Sequence, residues 1–225
     1  MDLQQKLQSI ASLPADAPMG LPGTFYTSPA RFDHEAQTVL RNGWHCVGRM
    51  DEVPEPGDFF TIQLLNEPMI VVRGDDNDIR VLANVCRHRG MPLAEGRGNV
   101  KRFVCSYHAW AYGRDGALLR AARMQNAGFD SSNCRLHGHN VHLWNGFIYV
   151  NLSWHAEPFE HPELNSLLQN FETDKFRLVH VAEENWHTNW KCLVENFMEG
   201  YHLSVVHPTT LHGYTPTGLA RKLST

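Results

Sequence analysis

Residues 44 to about 152 consist of short apolar runs separated by turn-forming residues. The runs are rich in β-branched and aromatic residues: FFTIQLL, PMIVVRG, IRVLANV, RFVCSY and GFIYVNL. The segments EPG, RGDDND and GRDG between them have the composition of tight turns. Short runs bounded by such turns predict antiparallel strands, so this part of the chain is predicted to be an all-β unit of about 100 residues.

Helical patterns flank this unit. The segment DLQQKLQSIASL predicts a short helix before a Pro- and Gly-rich tether, and Ser28-Pro29 opens a second helix that Gly43 ends. Beyond the β unit, the pattern predicts a helix, a strand and a helix at 162–171, 177–187 and 190–202. The predicted fold class is therefore α+β, with a helical segment at 1–42, the all-β unit at 43–152 and a mixed region at 153–225.

Composition narrows the functional classes. The net charge is −4, which shows no bias toward nucleic acid or anionic membranes, so neither is expected as a partner. No apolar run approaches the roughly 20 residues that a membrane span needs. The five cysteines are an odd and scattered set, which argues against a secreted disulfide scaffold. We therefore expect a reducing, cytoplasmic location.

Two of the cysteines lie in matched pairs with histidine, Cys86-x-His88 and Cys105-x-x-His108. Structural zinc sites commonly take both cysteines from one motif and both histidines from the other. Here each motif supplies one of each, which suits a two-iron cluster with thiolates on one iron and imidazoles on the other. Zinc binding and simple burial in the core are the alternatives for these four residues.

The segments CRHRG and CSYHAWAY, the latter followed by Asp115-Gly116, resemble the Rieske [2Fe–2S] signature. Their form is that of Rieske non-haem iron oxygenases, the ring-hydroxylating dioxygenase α-subunit family. The resemblance implies that Cys86 and Cys105 bind one iron and that His88 and His108 bind the other. It also implies that region 43–152 is the Rieske domain. Neither loop has the second cysteine of respiratory Rieske proteins.

A second motif, ENFMEGYHLSVVHP, lies at residues 195–208. On one predicted helix, the i, i+4 and i+3 spacings place Glu195, Glu199 and His202 on a single face. His207 precedes a proline, which favours an extended conformation there. The motif resembles the catalytic motif of the same family. The resemblance implies that His202 and His207 bind a mononuclear Fe(II), and that Glu199 bridges to a Rieske histidine of the neighbouring subunit in a homotrimer.

After His207 the chain reads PTTLHGYTPTGLARKLST, without aspartate or glutamate. In the family that the motif resembles, the third iron ligand is an aspartate much further along a sheet-and-helix catalytic domain. Region 153–225 is therefore expected to be only the N-terminal part of that domain. We expect such a fragment to bind the cluster but to lack a complete catalytic iron, and so to be inactive on its own.

The resemblance implies a mono- or dioxygenase. Electrons would come from NAD(P)H through a separate flavin-containing reductase or ferredoxin, and O₂ would hydroxylate an aromatic or quaternary ammonium compound. Glutamate at position 199 resembles the members that act on glycine betaine, choline or carnitine. The alternative is a Rieske ferredoxin-like electron carrier without oxygenase activity. A zinc protein that uses the same four residues is a third possibility.

Overall fold

The computed structural model describes residues 3–14, 19–122, 124 and 129–219. By its contacts the chain divides into two units: residues 34–182 form one, and residues 1–33 with 183–225 form the other. Within the described residues, no helix is long and apolar enough to cross a membrane. The predicted α+β class is confirmed, because helices accompany three antiparallel sheets.

The N-terminal helices agree with the sequence pattern. α1 is Leu3–Ala11, α2 is Thr24–Thr27 and α3 is Pro29–Glu35, which continues as a π-helical turn over Ala36–Leu40. The backbone N–H of Gly43 donates to the carbonyl of Leu40, so the helix ends where the glycine predicts. Part of the predicted tether, residues 15–18, lies outside the described residues.

Within the described residues, ten strands form the predicted all-β unit. They are β1 Trp44–Arg49, β2 Asp58–Leu64, β3 Glu67–Arg73, β4 Ile79–Ala83, β5 Arg97–Asn99, β6 Phe103–Val104, β7 Ala111–Tyr112, β8 Leu118–Arg120, β9 Asn140–Trp144 and β10 Phe147–Asn151. They make three sheets with the orders β1-β10-β9, β4-β3-β2-β5 and β6-β7-β8. Every strand pair is antiparallel, and the sheets do not close into a barrel.

The central sheet packs on both of its faces, and β3 shows why. Ile70 and Val72 belong to one core cluster, which also contains Cys86 and Cys105. The alternate positions Met69 and Val71 belong to the other cluster, together with apolar residues of β10. Successive side chains of a strand point to opposite faces, so the uninterrupted run MIVV predicts a strand that is buried on both sides.

A connecting segment follows β10. Helix α4 covers Pro162–Leu168, and 3₁₀ turns cover Gln169–Phe171 and Thr173–Lys175. This agrees with the predicted helix at 162–171, but the strand predicted at 177–187 is wrong, since no strand forms there. The backbone N–H of Leu178 donates to the Asp51 carboxylate at 2.6 Å instead of entering a ladder. Val179 is 96% exposed, so this apolar residue of the alternating pattern is not packed against a sheet.

The last elements are α5 Trp190–Phe197, α6 Leu203–Val206 and a 3₁₀ turn at Thr217–Leu219. The Asn189 side chain caps α5 by accepting the N–H of Lys191 at 3.0 Å. The single helix predicted over 190–202 is therefore wrong in its second half. α5 ends at Phe197, five residues before the predicted end.

Candidate iron–sulfur and mononuclear iron sites

The two Cys–His motifs form loops that close in the same way. In the first, the N–H of Cys86 donates to the carbonyl of Met91, and the N–H of Gly90 donates back to the carbonyl of Cys86, both at 2.9 Å. Gly90 has a φ of +72°, a left-handed conformation that glycine adopts without strain. The loop therefore turns back on itself immediately after the cysteine.

The second loop repeats this closure. The N–H of Cys105 donates to the carbonyl of Trp110 at 2.8 Å, and the N–H of Ala109 donates to the carbonyl of Cys105 at 2.9 Å. Ala109 has a φ of +56°, which is uncommon for a residue with a side chain. The strand pair β6–β7 carries this loop between Val104 and Ala111. The two motifs are thus matched in structure as well as in composition.

The loops place thiol beside thiol and imidazole beside imidazole. Cys86 and Cys105 are each 2% exposed and belong to the same buried cluster. The rings of His88 and His108 lie 4.5 Å apart between centroids. His88 also stacks on Trp110, with the two rings nearly parallel and 4.8 Å apart. This is the pairing that a cluster with two thiolates on one iron and two imidazoles on the other requires.

One buried atom gives a direct test of whether an iron–sulfur cluster fits. The Nδ1 atom of His88 is buried and has no hydrogen-bond partner. A buried ring nitrogen without a partner is costly, and a coordinated metal is one way to satisfy it. The donor set of two thiols and two imidazoles is also the set that a Rieske cluster uses. The residues present therefore fit a [2Fe–2S] cluster.

Tyr112 supports the thiol side of the site. Its hydroxyl lies 3.4 Å from the Cys86 sulfur and accepts the backbone N–H of Arg87 at 3.0 Å. Burial is the largest influence and raises the pKa of the Cys86 thiol, but the hydrogen bonds from Tyr112 and from the backbone N–H groups of His88 and Arg89 together outweigh it and leave that pKa below its usual value. Burial likewise raises the pKa of Tyr112, so the phenol stays protonated and can donate. A lowered thiol pKa favours the thiolate, which is the form that binds metal.

The imidazole side is more open. His108 is exposed, and the ring of Tyr107 lies 4.0 Å from its ring. Desolvation lowers the pKa of His108, and the nearby His88 and Arg89 lower it further. The site thus has a buried thiol side and an imidazole side that reaches the protein surface.

Sequence reasoning missed Asn84, which braces the first loop. This residue is 6% exposed; its side-chain oxygen accepts the N–H groups of Leu93 and Ala94, at 2.8 and 3.1 Å. Its amide donates to the carbonyl of Ala94 at 2.8 Å. A polar residue inside the apolar run IRVLANV is the signal that points to this role, because a buried amide needs partners.

The second motif does not lie on one helix face, as the sequence predicts. α5 contains Glu195 but ends at Phe197, so Glu199 and His202 lie beyond it. If α5 continued, the N–H groups of Tyr201 and His202 would donate to backbone carbonyls of that helix. They donate to the Glu199 carboxylate instead, and a new turn begins there. The predicted placement of three side chains on one helical face is therefore wrong.

The break still brings the two predicted iron ligands together. His202 is the N-cap of α6 and His207 is its C-cap, and their ring centroids are 5.5 Å apart. The Glu199 carboxylate also pairs with Nδ1 of His202, and this hydrogen bond lowers the pKa of Glu199. A carboxylate on one ring nitrogen fixes the tautomer, so Nε2 of His202 is the ring nitrogen that stays free to bind a metal.

The fit to a mononuclear iron is partial. Two imidazoles are present, whereas mononuclear Fe(II) sites of non-haem oxygenases use two histidines and one carboxylate. Among residues 3–14, 19–122, 124 and 129–219, no three His, Cys, Asp or Glu side chains converge on one point. Glu199 is already engaged with the His202 ring. The described residues thus offer two of the three side chains that such a site needs.

The N-terminal segment contacts the same helix, which sequence reasoning also missed. The Tyr26 hydroxyl donates to the Glu195 carboxylate at 2.7 Å, and the Asn189 side chain donates to the carbonyl of Tyr26 at 3.1 Å. These contacts join residues more than 160 positions apart in the chain, and no local pattern signals them.

Two family models match the chain. The Rieske [2Fe-2S] domain matches residues 43–128, and the catalytic domain of the ring hydroxylating alpha subunit matches residues 158–222. The first match includes both Cys–His loops, and the second includes Glu199, His202 and His207.

Curated relatives match most of the chain. The carnitine monooxygenase oxygenase subunit of Escherichia coli K12 is 34% identical over 84% of this chain and 52% of its own length. The glycine betaine monooxygenase oxygenase subunit of Chromohalobacter salexigens is also 34% identical, over 85% of this chain and 44% of its own length. The chain thus spans about half the length of these relatives.

Solved structures give the same result. The quaternary ammonium Rieske monooxygenase CntA in complex with L-carnitine is 31% identical, with a TM-score of 0.81 over 86% of this chain and 56% of that one. Naphthalene 1,2-dioxygenase from Rhodococcus sp. is 26% identical, with a TM-score of 0.77 over 97% of this chain and 51% of that one. With the two domain matches, these likenesses show that the chain belongs to the ring-hydroxylating α-subunit family of Rieske oxygenases.

Proposed function

We propose that the chain is part of a Rieske oxygenase α-subunit, in which Cys86 and Cys105 bind one iron of a [2Fe–2S] cluster and His88 and His108 bind the other. The pairing of the buried thiols and of the two imidazoles, with the unpartnered Nδ1 of His88, is the observation that carries this assignment. A single zinc ion is the weaker alternative, since each loop supplies one thiol and one imidazole.

When bound, the cluster supplies one-electron transfer and the mononuclear iron supplies O₂ activation. The protein positions and tunes these groups. Tyr112 donates a hydrogen bond toward the Cys86 sulfur, and Trp110, 3% exposed, covers one face of His88 and keeps water from it. The open side at His108 gives electrons a short path to the surface.

At the second site, we assign His202 and His207 as iron ligands. We assign Glu199 as the acidic residue that orients His202 and bridges to a Rieske histidine of a neighbouring subunit. Glu199 holds Nδ1 of His202 and so aims Nε2 of that ring outward. Its side chain is 43% exposed, which leaves it accessible to a histidine of a neighbouring subunit in a homotrimer. The described residues supply no third ligand, so we propose that the 225-residue chain binds the cluster but does not retain catalytic iron or turn over substrate by itself.

For the substrate, we propose a quaternary ammonium compound that is hydroxylated in a monooxygenase reaction. The relatives named for carnitine and glycine betaine, and the glutamate at position 199, support this class. An aromatic substrate is the second candidate, because a naphthalene dioxygenase has a similar structure. Electrons would come from NAD(P)H through a separate flavin-containing reductase or ferredoxin in the cytoplasm. We also propose that the domain boundaries lie between residues 42 and 43 and between residues 152 and 153.

The electron-carrier alternative is less well supported. A carrier needs only the cluster domain, whereas residues 158–222 match a catalytic domain and hold His202 and His207 within one short turn. This match favours the oxygenase subunit.

Metal and sulfide analysis of anaerobically purified chain tests the proposal. We expect two irons and two acid-labile sulfides per chain, with no zinc. A third tightly bound iron would overturn the proposal that the catalytic site is incomplete. Zinc without sulfide would overturn the cluster assignment. Turnover of carnitine, glycine betaine or naphthalene with NADH, a Rieske-oxygenase reductase and O₂ would contradict the proposed inactivity and would identify the substrate class.

A further inference from the structure

A cavity of about 520 Å³ opens beside β1. Its wall includes the turn at Met50–Glu52, the turn between β9 and β10 and the connecting segment at 174–178. Sites for small molecules usually have volumes of roughly 300–1,000 Å³. The described residues that line this cavity belong neither to the Cys–His loops nor to the motif at 195–208. The cavity is therefore large enough for a ligand that neither metal site accounts for.

Three arginines line this cavity: Arg49 of β1, Arg73 of β3 and Arg177 of the connecting segment. The charge of Arg49 is balanced, since its Nε donates to the Asp51 carboxylate at 2.9 Å. Arg73 is half-buried and donates to three backbone carbonyls, those of Met50, Val53 and Asn77. Within the part of the chain that the structure describes, Arg73 forms no ion pair. It thus donates to neutral acceptors, and its charge is not balanced.

Arg177 and Asp174 supply the remaining charges of the lining. Both are exposed, and among the described residues neither side chain has an ion-pair partner. Because Arg49 and Asp51 balance each other, the two other arginines and the one other aspartate leave a net charge of +1 on the lining. A half-buried cation without a counter-ion is unfavourable, because burial removes part of its hydration. The lining therefore favours an anion.

The apolar part of the wall comes from Met50, Pro54 and Leu178. A ligand that fits both parts has one negative group and a short apolar body. A carboxylate accepts two parallel N–H bonds from a guanidinium, which is the geometry that arginine offers. One carboxylate also matches the net charge of +1 on the lining. A phosphate group matches it less well, since it carries about −1.5 to −2 at pH 7.

We propose that this cavity is a binding site for a small monocarboxylate with an apolar body, which Arg73 and Arg177 hold by its carboxylate. The site uses no residue of either candidate metal site, so the inference goes beyond the proposed function and does not depend on it. Arg73 belongs to β3, and Arg177 belongs to the connecting segment. A carboxylate bound by both fastens residues 174–178 to the central sheet, so the ligand acts as an effector that orders this segment.

The charges at positions 174 and 177 distinguish a binding site from a water-filled cleft. If Asp174 and Arg177 are only solvated surface charges, neither affects the binding of a ligand. If they line an anion site, their removal has opposite effects. Loss of Arg177 removes an attraction and weakens binding, whereas loss of Asp174 removes a repulsion and tightens it. Damage to the fold would weaken binding in both cases.

The experiment uses the 225-residue chain as purified and 3,3-dimethylbutyrate as the probe. Calorimetry measures its binding, and hydrogen exchange measures the protection of residues 174–178. We expect a dissociation constant of about 1 mM and slower exchange in this segment. Arg177→Gln should weaken binding about fivefold, and Asp174→Asn should tighten it by about the same factor. The control Lys175→Gln removes an exposed cation of the same segment that does not line the cavity, so binding should be unchanged.

Two further probes test the class of the ligand. The alcohol 3,3-dimethylbutan-1-ol has the same apolar body without the charge, and we expect it not to bind. Equal binding of the alcohol and the acid would show an apolar contact only and would overturn the proposal. Inorganic phosphate, titrated at the same ionic strength, should bind more weakly than the acid. Tighter binding of phosphate would overturn the assignment to carboxylates.

The remaining outcomes are equally decisive. The proposal is overturned if the acid does not bind, or if it binds with the same affinity to the parent, Arg177→Gln and Asp174→Asn. It is also overturned if both variants weaken binding, because charge would then not be the cause. Iron and sulfide content tests the proposed function alone. It should be the same in the parent and in every variant, so either proposal can fail without the other.

Discussion

The two candidate metal sites differ in how the chain supports them. The cysteines of the cluster loops are almost fully buried, and the core residues Tyr112 and Trp110 pack around them. In the second motif, Phe197, Met198 and Tyr201 are between 75% and 84% exposed. The first site is supported by strands that the same stretch of sequence provides. The second has a local arrangement of ligands but few apolar contacts around it within the described residues.

The difference shows that a site can be well predicted when its support is local in sequence. The cluster loops need only the adjacent strands, the hydrogen bonds within each loop and Tyr112. The arrangement of His202 and His207 also comes from a short turn, but the side chains around it need partners that this turn does not provide. Substitutions at the first site should therefore change the cluster signal without changing the rest of the fold.

The largest effect is expected from the cluster cysteines. Cys105→Ser should abolish the visible absorption and EPR signal of the cluster, because one iron loses a thiolate. Cys192→Ser is the matched control, since Cys192 is an exposed cysteine on α5 in the other unit. Absorption spectra of both variants, reconstituted in parallel, give the comparison. Loss of the cluster in the control as well would contradict the separation of the two sites.

A smaller effect, on stability, is expected at Arg49 of β1, which binds residues 173 and 176 of the connecting segment. Arg49 is 9% exposed and donates to the Asp51 carboxylate and to the carbonyls of Thr173 and Phe176. Arg49→Met removes this donor from the two carbonyls and leaves the largely buried Asp51 carboxylate without its counter-charge, so the free energy of unfolding should fall by about 2–4 kcal/mol. Urea denaturation measures it, and hydrogen exchange should rise at 173–178.

The control for this variant is Arg80→Met. Arg80 pairs with Asp76 at 2.5 Å, but the Asp76 side chain is 53% exposed. Exposed pairs contribute about 0–1 kcal/mol, so this variant should lose less than about 1 kcal/mol. Equal losses in the two variants would show that the Arg49 contacts do not hold the segment.

The pH dependence of stability should reflect His139, which lies where residues 136–139 join the central sheet. Burial, followed by the nearby His137, lowers the pKa of His139 to about 4. The unfolded chain takes up a proton near pH 6.5 and the folded chain only near pH 4, so stability is lost as the pH falls between these values. After allowance for solvent screening, the loss is about 1–2 kcal/mol.

His139→Gln should flatten this part of the stability curve, which urea denaturation at several pH values measures. A variant with the same slope as the parent would show that another group controls acid stability. The cluster spectrum should be unchanged, because His139 is not among the proposed ligands.

The smallest effect is expected from Tyr112→Phe, which removes a single hydroxyl. Hydrogen bonds to the sulfurs raise the reduction potential of iron–sulfur clusters. A hydrogen bond worth about 0.5–1.5 kcal/mol corresponds to a decrease of roughly 20–60 mV for one electron. Spectroscopic redox titration measures the shift, with the cluster content unchanged. An unchanged potential would mean that the Tyr112 hydroxyl only accepts the N–H of Arg87 and does not donate to the Cys86 sulfur.

Much of this fold follows from the sequence, and its failures have physical causes. The run MIVV and the turn Asn145-Gly146, where both residues have positive φ, encode a buried strand and a hairpin locally. The wrong strand at 177–187 has the right alternation, but Asp51, far away in the chain, binds the N–H of Leu178, and Arg49 binds the carbonyl of Phe176 just before this stretch. The break after Phe197 depends on a carboxylate that caps the following turn, which periodicity does not represent.

The candidate sites divide in the same way. The four cluster residues and both histidines of the second motif were found from their spacing, and the structure brings each set together. Tyr26 acts through a contact distant in sequence, so spacing gives no indication of it. Asn84 binds residues nine and ten positions away, and only its place as a polar residue in an apolar run indicates it. The ligand roles themselves remain predictions.

The central claim is that both imidazoles and both thiols bind one cluster. Pulsed EPR of the dithionite-reduced chain tests it most directly, because coordinated imidazole nitrogens couple to the electron spin. We predict couplings from two nitrogens, both lost together with the cluster signal in Cys105→Ser. A cluster signal without nitrogen couplings, or couplings that survive in His88→Ala and His108→Ala, would contradict the assignment of His88 and His108.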